Sequence, residues 1–406
     1  MGFHHGLSGL NAASKSLDVS GHNIANSNTI GFKKSRAEFN EMVASAMGSG
    51  QCPGSAGAGI GVSVAAVTQQ FSQGVITPTA NGLDMAINGD GFFVVNTPSG
   101  TAYTRNGAFQ LDKNGFLVTA NGDKVQGWAD ANATGTQPVD LQFPTGAGIP
   151  GRQTTGLSIQ AANLPATAPA ASSVTPNTPR HTYGTSVQVY DSQGVAIPVE
   201  VYFVKNGSNN TWDVYDTLDP AVTTPVGQVT FDGEGKFVSS TVTGLNVDPS
   251  AANPNNPPAP FNVTLDLSGM TQNDRKWSVD KMTQDGYASG ELTGVNVSKD
   301  GTLMASYSNG LTRPEGKVAL ARFTNPQGLA PNGNNNWVQT NDSGPVLYGS
   351  AGSGSFGQIQ GAALEESNVD LTAELVGMMT AQRSYQANAQ TIKTQDQVFS
   401  TLVNLR

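Results

Sequence analysis

Apolar positions at the two ends of the chain recur with helical spacing, whereas those between them recur with a period of two. Phe3, Leu7, Leu10, Ser14, Leu17, Gly21 and Ile24 step by alternating four and three, the seam spacing of a coiled coil with small residues at two places. Near the other end Leu371, Met378, Tyr385, Ile392 and Phe399 follow one another at seven-residue steps, which predicts one long helix. Ser367 with Asp370 three residues on reads as its capping box. Neither helix reads as self-sufficient. The first contains Gly6, Gly9 and Gly21, each costing about 1 kcal/mol relative to alanine in a helix interior. The second presents Gln382, Gln386, Gln390, Gln395, Gln397 and Asn388 but few charges, unlike a helix solvated through Glu and Lys pairs. Both are expected to pack on partners, including copies of the same chain.

The interior is dominated by turn chemistry. Eight Asn-Gly dipeptides, at 81, 88, 106, 114, 121, 206, 309 and 332, predict tight turns of type I′, in which both residues take positive φ. Between them "GFFVVN", "GFLVTA" and "DKVQGW" read as short strands of a sheet-rich domain that begins near residue 72. A Pro- and Ala-rich stretch, "LPATAPAASSVTPNTP", reads as a connection. A second β unit follows, in which Val187 and Val189 alternate with polar neighbours and the chain returns through Val199, Val201 and Phe203. From "GELTGVNVSKDGTL" onward the style of the first β unit resumes, so the second unit is expected to be an insertion in the first.

Composition narrows the functions. The 406 residues carry a net charge of -9, and only 13% are charged, so Asn, Gln, Ser and Thr must build most of the polar surface. A nucleic-acid partner is not expected, because such affinity comes largely from Lys and Arg neutralising phosphates. No apolar run of about 18 residues and no charged start followed by an apolar segment occurs, so membrane insertion and a Sec-type signal are not expected either. The single cysteine, Cys52, cannot close an intramolecular disulfide and has no histidine near it in sequence to activate it. The four histidines lack HExxH or CxxC companions, so neither a metal nor another cofactor is expected. "FDGEGKF" and "LDKNGF" have too few acidic positions for a calcium loop and read as hairpin turns. Asp84, Asp90 and Glu200 are the carboxylates available to a β-rich hydrolase or glycan-binding module, but their spacing gives no paired geometry.

Four blocks carry a resemblance: "LSGLNAASKSLDVSGHNIANSNTIGFKKSRAEF" at 7–39, "ANGLDMAINGDGFFVV" at 80–95, "YTRNGAFQLDKNGFLV" at 103–118, and the segment from "GAALEESNVDL" to the C-terminus. Together the chain resembles the rod and hook axial proteins of the bacterial flagellum. The roughly 140-residue unit around "VQVYDSQG" and "VEVYFVK" resembles the outer domain of hook rather than distal rod members. A distal rod subunit and a secreted β-rich glycan-binding or hydrolytic module are the alternatives.

The resemblance implies two nested β-rich outer domains of sandwich or barrel type and an inner α-helical coiled-coil domain made from the paired terminal helices. The implied limits are 1–24 with 368–406 for the inner domain, 25–71 with 361–367 for connecting hinges, 72–144 with 284–360 for the first β domain, and 145–283 for the inserted one. The implied subunit is structural, polymerises with itself and lies outside the cell. Its implied partners are the distal rod protein, the hook cap scaffold, the first hook–filament junction protein and the flagellar type III export apparatus. Residue by residue, the resemblance gives inner-tube packing to Leu10, Leu17, Ile24, Leu371, Met378, Tyr385, Ile392 and Phe399. It makes Gln382, Gln386 and Gln390 a channel lining or an amide contact face. Asn23, Asn26, Gly31 and Phe32 form the family motif at the end of the first helix, where Asn26 or Asn28 is expected to cap it.

Overall fold

The computed structural model describes residues 2–43, 59–130, 137–143, 148–171, 179–207, 210–219, 221–252, 254 and 258–404. Cys52 and most of the Gly-rich stretch around it lie outside the described residues, as does 172–178 within the Pro- and Ala-rich connection. Two helices sit at the ends, α1 (Gly2–Ala25) and α2 (Leu371–Asn404), and strands fill the sequence between them. The chain divides into two compact units, one of Met1–Thr145, Gly294–Ser306 and Thr312–Arg406, the other of Gly146–Thr293 and Tyr307–Leu311.

In the first unit α1 packs along α2 and against a long two-stranded ribbon, β1 (Ser35–Val43) with β2 (Gly59–Gln69). The ribbon is antiparallel with an irregularity between Glu38 and Phe39. The β part of the unit is built on a mixed-length sheet in which Phe92–Thr97 pairs with Gly100–Thr104, Lys124–Trp128 and Thr312–Arg322. Its core holds Phe92, Val94, Tyr103, Ala319, Ala321, Phe323 and Trp337, with Phe92 meeting Phe71 and Trp337 edge-on at 5.5 and 5.7 Å. Such edge-to-face aromatic pairs add specific attraction to the burial itself.

The second unit packs two five-stranded sheets over one core. One is an antiparallel meander from Gly184–Tyr190 to Phe237–Ser240. In the other, Gly156–Pro165 lies parallel to both Phe261–Asp266 and Met270–Asn273 and antiparallel to Ser278–Gln284. Leu157, Ile159 and Leu164 from the second sheet meet Phe203, Trp212 and Val214 from the first. The fold is thus mainly β with a terminal helix pair, as the patterns predict.

One expectation fails in detail. None of the eight Asn-Gly asparagines has positive φ, whereas Gly89, Gly115, Gly122, Gly207, Gly310 and Gly333 do, so these are not type I′ turns. The turns at Gly115, Gly122 and Gly310, whose amides donate to Asp112 O, Thr119 O and Tyr307 O, belong to the longer class, a right-handed turn closed by one left-handed glycine, whereas Gly333 is followed by Asn334 and Asn335 at positive φ. At Asp112 the carboxylate takes the amides of Asn114 and Phe116 at 2.9 and 2.8 Å, and Gly115 N donates to Asp112 O. The acidic side chain organises the turn, leaving the asparagine in ordinary backbone geometry.

Candidate functional site

The helix pair closes on small side chains. A β-carbon added to Gly6 would lie 2.9 Å from Ile392 Cγ1, and one added to Gly9 would lie 2.7 Å from Asn388 Nδ2. The glycines that weaken α1 in isolation therefore let its backbone approach α2. Ala13, Val19 and Asn23 are buried on α1, while Leu10, Leu17 and Ile24 are half-buried. On α2 Met378 and Ile392 are half-buried, and so are Ala381, Asn388 and Gln395, which alternate with them at heptad spacing. The sequence reading missed those three because alanine and amides give no apolar signal. The side chain of Phe399 lies outside the described residues.

The start of α2 differs from the expected capping box. Asp370 Oδ1 accepts from Thr372 N at 2.9 Å and Ala373 N at 3.2 Å, so Asp370 is itself the N-cap. Ser367 Oγ instead takes Val369 N at 3.3 Å, in the approach to the helix. A carboxylate caps two amides and also suits the positive end of the helix dipole.

The family motif residues fix the end of α1. Asn26 Nδ2 donates to His22 O at 2.9 Å, and the Asn26 amide donates to His22 O and Asn23 O, so Asn26 closes the last turn. Asn23, 1% exposed, grips the first residue of β1. Its Nδ2 donates to Ser35 O at 2.8 Å, and its Oδ1 accepts from Ser35 N at 2.9 Å. Gly31 has φ of 70°, and a β-carbon there would lie 2.6 Å from Asn106 N. Phe32 is buried against His22, edge-on at 5.6 Å.

Directly after Phe32 lies a feature that sequence reading did not find. Lys33 Nζ donates to Glu365 Oε1 at 2.6 Å and to Ser72 O at 2.8 Å. Arg105 Nη1 donates to Glu365 Oε2 at 3.2 Å, and Arg105 Nη2 donates to Gly89 O at 2.8 Å. The amide of Gly74 is the third donor to this carboxylate, reaching Glu365 Oε1 at 2.8 Å. The Lys33 and Glu365 side chains are fully buried and that of Arg105 is 4% exposed. Burial pulls the Lys33 ammonium below its ordinary pKa, Glu365 opposes that, and Arg105 adds to it. Burial likewise lowers Arg105 against the opposing fields of Glu365 and Asp90. The three groups join the end of α1, the β sheet and the strand Ala363–Glu365 that leads to α2. Lys33 and Glu365 are 332 residues apart in sequence, so no local pattern announces the pair. Asn368 completes the junction, accepting from Lys34 N at 2.8 Å and donating to Gln70 O at 2.8 Å.

The outward face of α2 is unusual for a solvated helix. Leu371, Leu375, Val376, Met379 and Val398 are 44–55% exposed and Tyr385 38%, and Gln382, Gln386 and Gln390 are exposed alongside them. On the ribbon Phe39 and Val64, paired across the strands, are also exposed, as is Val67. Leu371, Leu375 and Met379, spaced four residues apart on α2, form an exposed apolar stripe of the kind that marks a contact face.

The carboxylates weighed for catalysis have local structural roles. Asp84 accepts from Thr79 Oγ1 at 2.7 Å and Asn81 Nδ2 at 2.9 Å, closing a turn. Glu200 accepts from the Tyr202 hydroxyl at 2.5 Å, and burial followed by that contact pushes the Tyr202 phenol up to about 12. Asp90 is exposed and lends negative field to Arg105. Among the described residues no group of three or more His, Cys, Asp or Glu side chains is placed to hold a metal, and no helix is long and apolar enough to cross a membrane.

Comparison with known proteins gives consistent matches along the chain. Residues 3–33 match the family described as flagella basal body rod protein, 86–162 the flagellar hook protein FlgE/F/G D1 domain, 156–287 the flagellar basal body protein FlaE D2 domain, and 360–405 the flagellar basal body rod FlgEFG protein C-terminal region. The chain is 43% identical over 421 residues to the flagellar hook protein FlgE of Escherichia coli K12, with all of both chains covered. It is 43% identical over 426 residues to that of Salmonella typhimurium, again with full coverage, and 32% identical to that of Treponema pallidum, over 99% of this chain and 98% of the relative. The crystal structure of Helicobacter pylori flagellar hook protein FlgE2 matches with a TM-score of 0.50 at 16% identity, covering 71% of this chain and all of that one, a likeness of fold.

Proposed function

Because the chain belongs to the flagellar hook protein family, it is a structural, self-assembling part of the flagellum and not an enzyme, and we propose how its parts divide that work. The helix pair forms the inner wall of a tube. The apolar outward face of α2 supports this reading most directly, since a single chain leaves it uncovered. Leu10, Leu17, Ile24, Leu371, Met378, Tyr385, Ile392 and Phe399 pack within and between subunits there. Gln382, Gln386 and Gln390 line the channel, where neutral amides stay hydrated and offer an unfolded chain in transit no strong charge to hold it.

The β units form the outer layers of a bendable joint that carries torque from rod to filament. Their contacts must change as the tube rotates while bent, and polar, low-charge surfaces exchange neighbours at small energetic cost because exposed contacts are individually weak. The proposed division is 1–24 with 368–406 as inner wall, 25–71 with 361–367 as connecting segments, 72–144 with 284–360 as the middle layer and 145–283 as the outer. Assembly outside the cell requires passage through the flagellar type III export apparatus, with the distal rod protein below, the cap scaffold at the growing end and the first junction protein above.

Deleting residues 145–283 tests the division. Electron microscopy of the deletion variant is expected to show tubes of altered curvature or stiffness. Loss of polymerisation in a variant whose remaining β unit still melts cooperatively rejects the assigned roles.

A further inference from the structure

The buried charge node is a poor means of stabilising a fold. Two cations share one carboxylate, so the cluster carries a net positive charge, and Arg105 Nε is buried without a partner. Apolar residues of the same volume commonly stabilise as well or better. The adjoining helix interface, in turn, does little to define its own axial alignment. Its first two turns of contact close on Gly6, Gly9 and Ala13, which offer no large knobs, and on a seven-residue repeat in α2. A slip of one heptad, about 10.5 Å at 1.5 Å per residue, still brings an apolar side chain, Tyr385 or Phe399, to the place that Ile392 holds beside Gly6. Buried polar groups have their best-attested use in fixing such registers.

We propose that Lys33, Glu365 and Arg105 are positioning residues that set the axial register of α1 against α2, and through it the helical parameters of the polymer. The proposal rests on the assembly reading above. Its geometry is a pin. Glu365 lies five residues before the N-cap Asp370, Lys33 eight residues beyond the last residue of α1, and Arg105 at the end of a sheet strand. A slip of even one turn, about 5.4 Å, breaks the 2.6 and 3.2 Å contacts that meet at the one carboxylate.

The test compares tubes formed by the full chain and by two variants, using electron microscopy for pitch and curvature and calorimetry for folding. Lys33→Met/Arg105→Met/Glu365→Met removes every charge, leaves Ser72 O, Gly74 N and Gly89 O without these partners, and is expected to stay folded with a lowered melting temperature while forming tubes of changed or mixed pitch. Glu365→Asp keeps the charge but withdraws the carboxylate by one methylene, and the same change of pitch, or a folded chain that no longer forms tubes, is expected. Tubes of wild-type pitch from both variants overturn the proposal. If the triple variant does not fold, Glu365→Asp decides alone, and its unfolding too makes the node a stabilising element and overturns the register role. A wild-type chain that forms no tubes rejects the assembly reading and the proposal with it, a result distinct from unchanged variants.

Discussion

Replacing Asn23 by alanine isolates the contribution of the clamp that ties α1 to the ribbon. The amide makes two hydrogen bonds to the same residue, at 2.8 Å to Ser35 O and 2.9 Å from Ser35 N. Ser35 is half-buried, so water reaches its backbone only in part once the amide is gone. Leaving a buried backbone group unpaired costs about 1–3 kcal/mol, and with partial rehydration the low end applies to each, for a total of roughly 2–3 kcal/mol. For a unit of this size that corresponds to a melting shift of about 4–12 °C. Urea unfolding followed in parallel by circular dichroism at 222 nm and by tryptophan fluorescence, whose reporters Trp128, Trp212, Trp277 and Trp337 all lie in the β cores, separates the helix pair from the β units. The helical signal is expected to fail first in Asn23→Ala. Asn23→Asp, which sets a carboxylate oxygen against Ser35 O, is expected to be worse. A loss below about 0.5 kcal/mol in the alanine variant, or an aspartate variant as stable as wild type, refutes the clamp.

Three further outcomes follow from the geometry. Gly21 has open space where a β-carbon would go and Gly9 does not, so Gly21→Ala is expected to stabilise α1 by about 0.5–1 kcal/mol and Gly9→Ala to destabilise the pair; urea midpoints of the same sign contradict the close-approach role. Burial alone pushes the Asp285 carboxyl up, but hydrogen bonds from the Thr155 hydroxyl and the Gly156 and Thr155 amides more than reverse this and leave it below its ordinary range. Its stabilisation is present above the unfolded-state value and lost as pH falls through the folded one, so Asp285→Asn is expected to flatten the acid limb of stability below about pH 4, read by denaturation across pH. Leu375→Glu with Met379→Glu is expected to leave monomer stability within about 0.5 kcal/mol while abolishing sedimentable polymer; wild-type assembly by this variant contradicts the contact-face assignment.

The terminal helices were legible because their spacing is local and repeats: Leu371 to Phe399 needs no knowledge of the fold. The β units were legible for the same reason, through alternation and glycine-marked turns, although the turn type was not, because Asp112 rather than Asn114 organises its loop. The motif at the end of α1 was marked by the family resemblance, which left Asn26 or Asn28 as the cap, and Asn26 is the one that closes the last turn. What escaped was everything set by distant pairing. Lys33 in "GFKK" reads as a solvated cation until Glu365 is brought to it from the far end of the chain. Asn388 reads as part of a polar face until Gly9 places it in the helix seam. Parallel pairing around Gly156–Pro165 was equally invisible, since a strand's own pattern does not state its neighbour's direction.

The most direct test of the assembled arrangement is a cryo-electron reconstruction of the polymer at side-chain resolution. The expected map has α1 and α2 of every subunit innermost, Gln382, Gln386 and Gln390 facing the central channel, and Leu375 and Met379 covered by a neighbouring copy. A tube whose channel is lined by the β units, or one that leaves Leu375 and Met379 facing solvent, contradicts it.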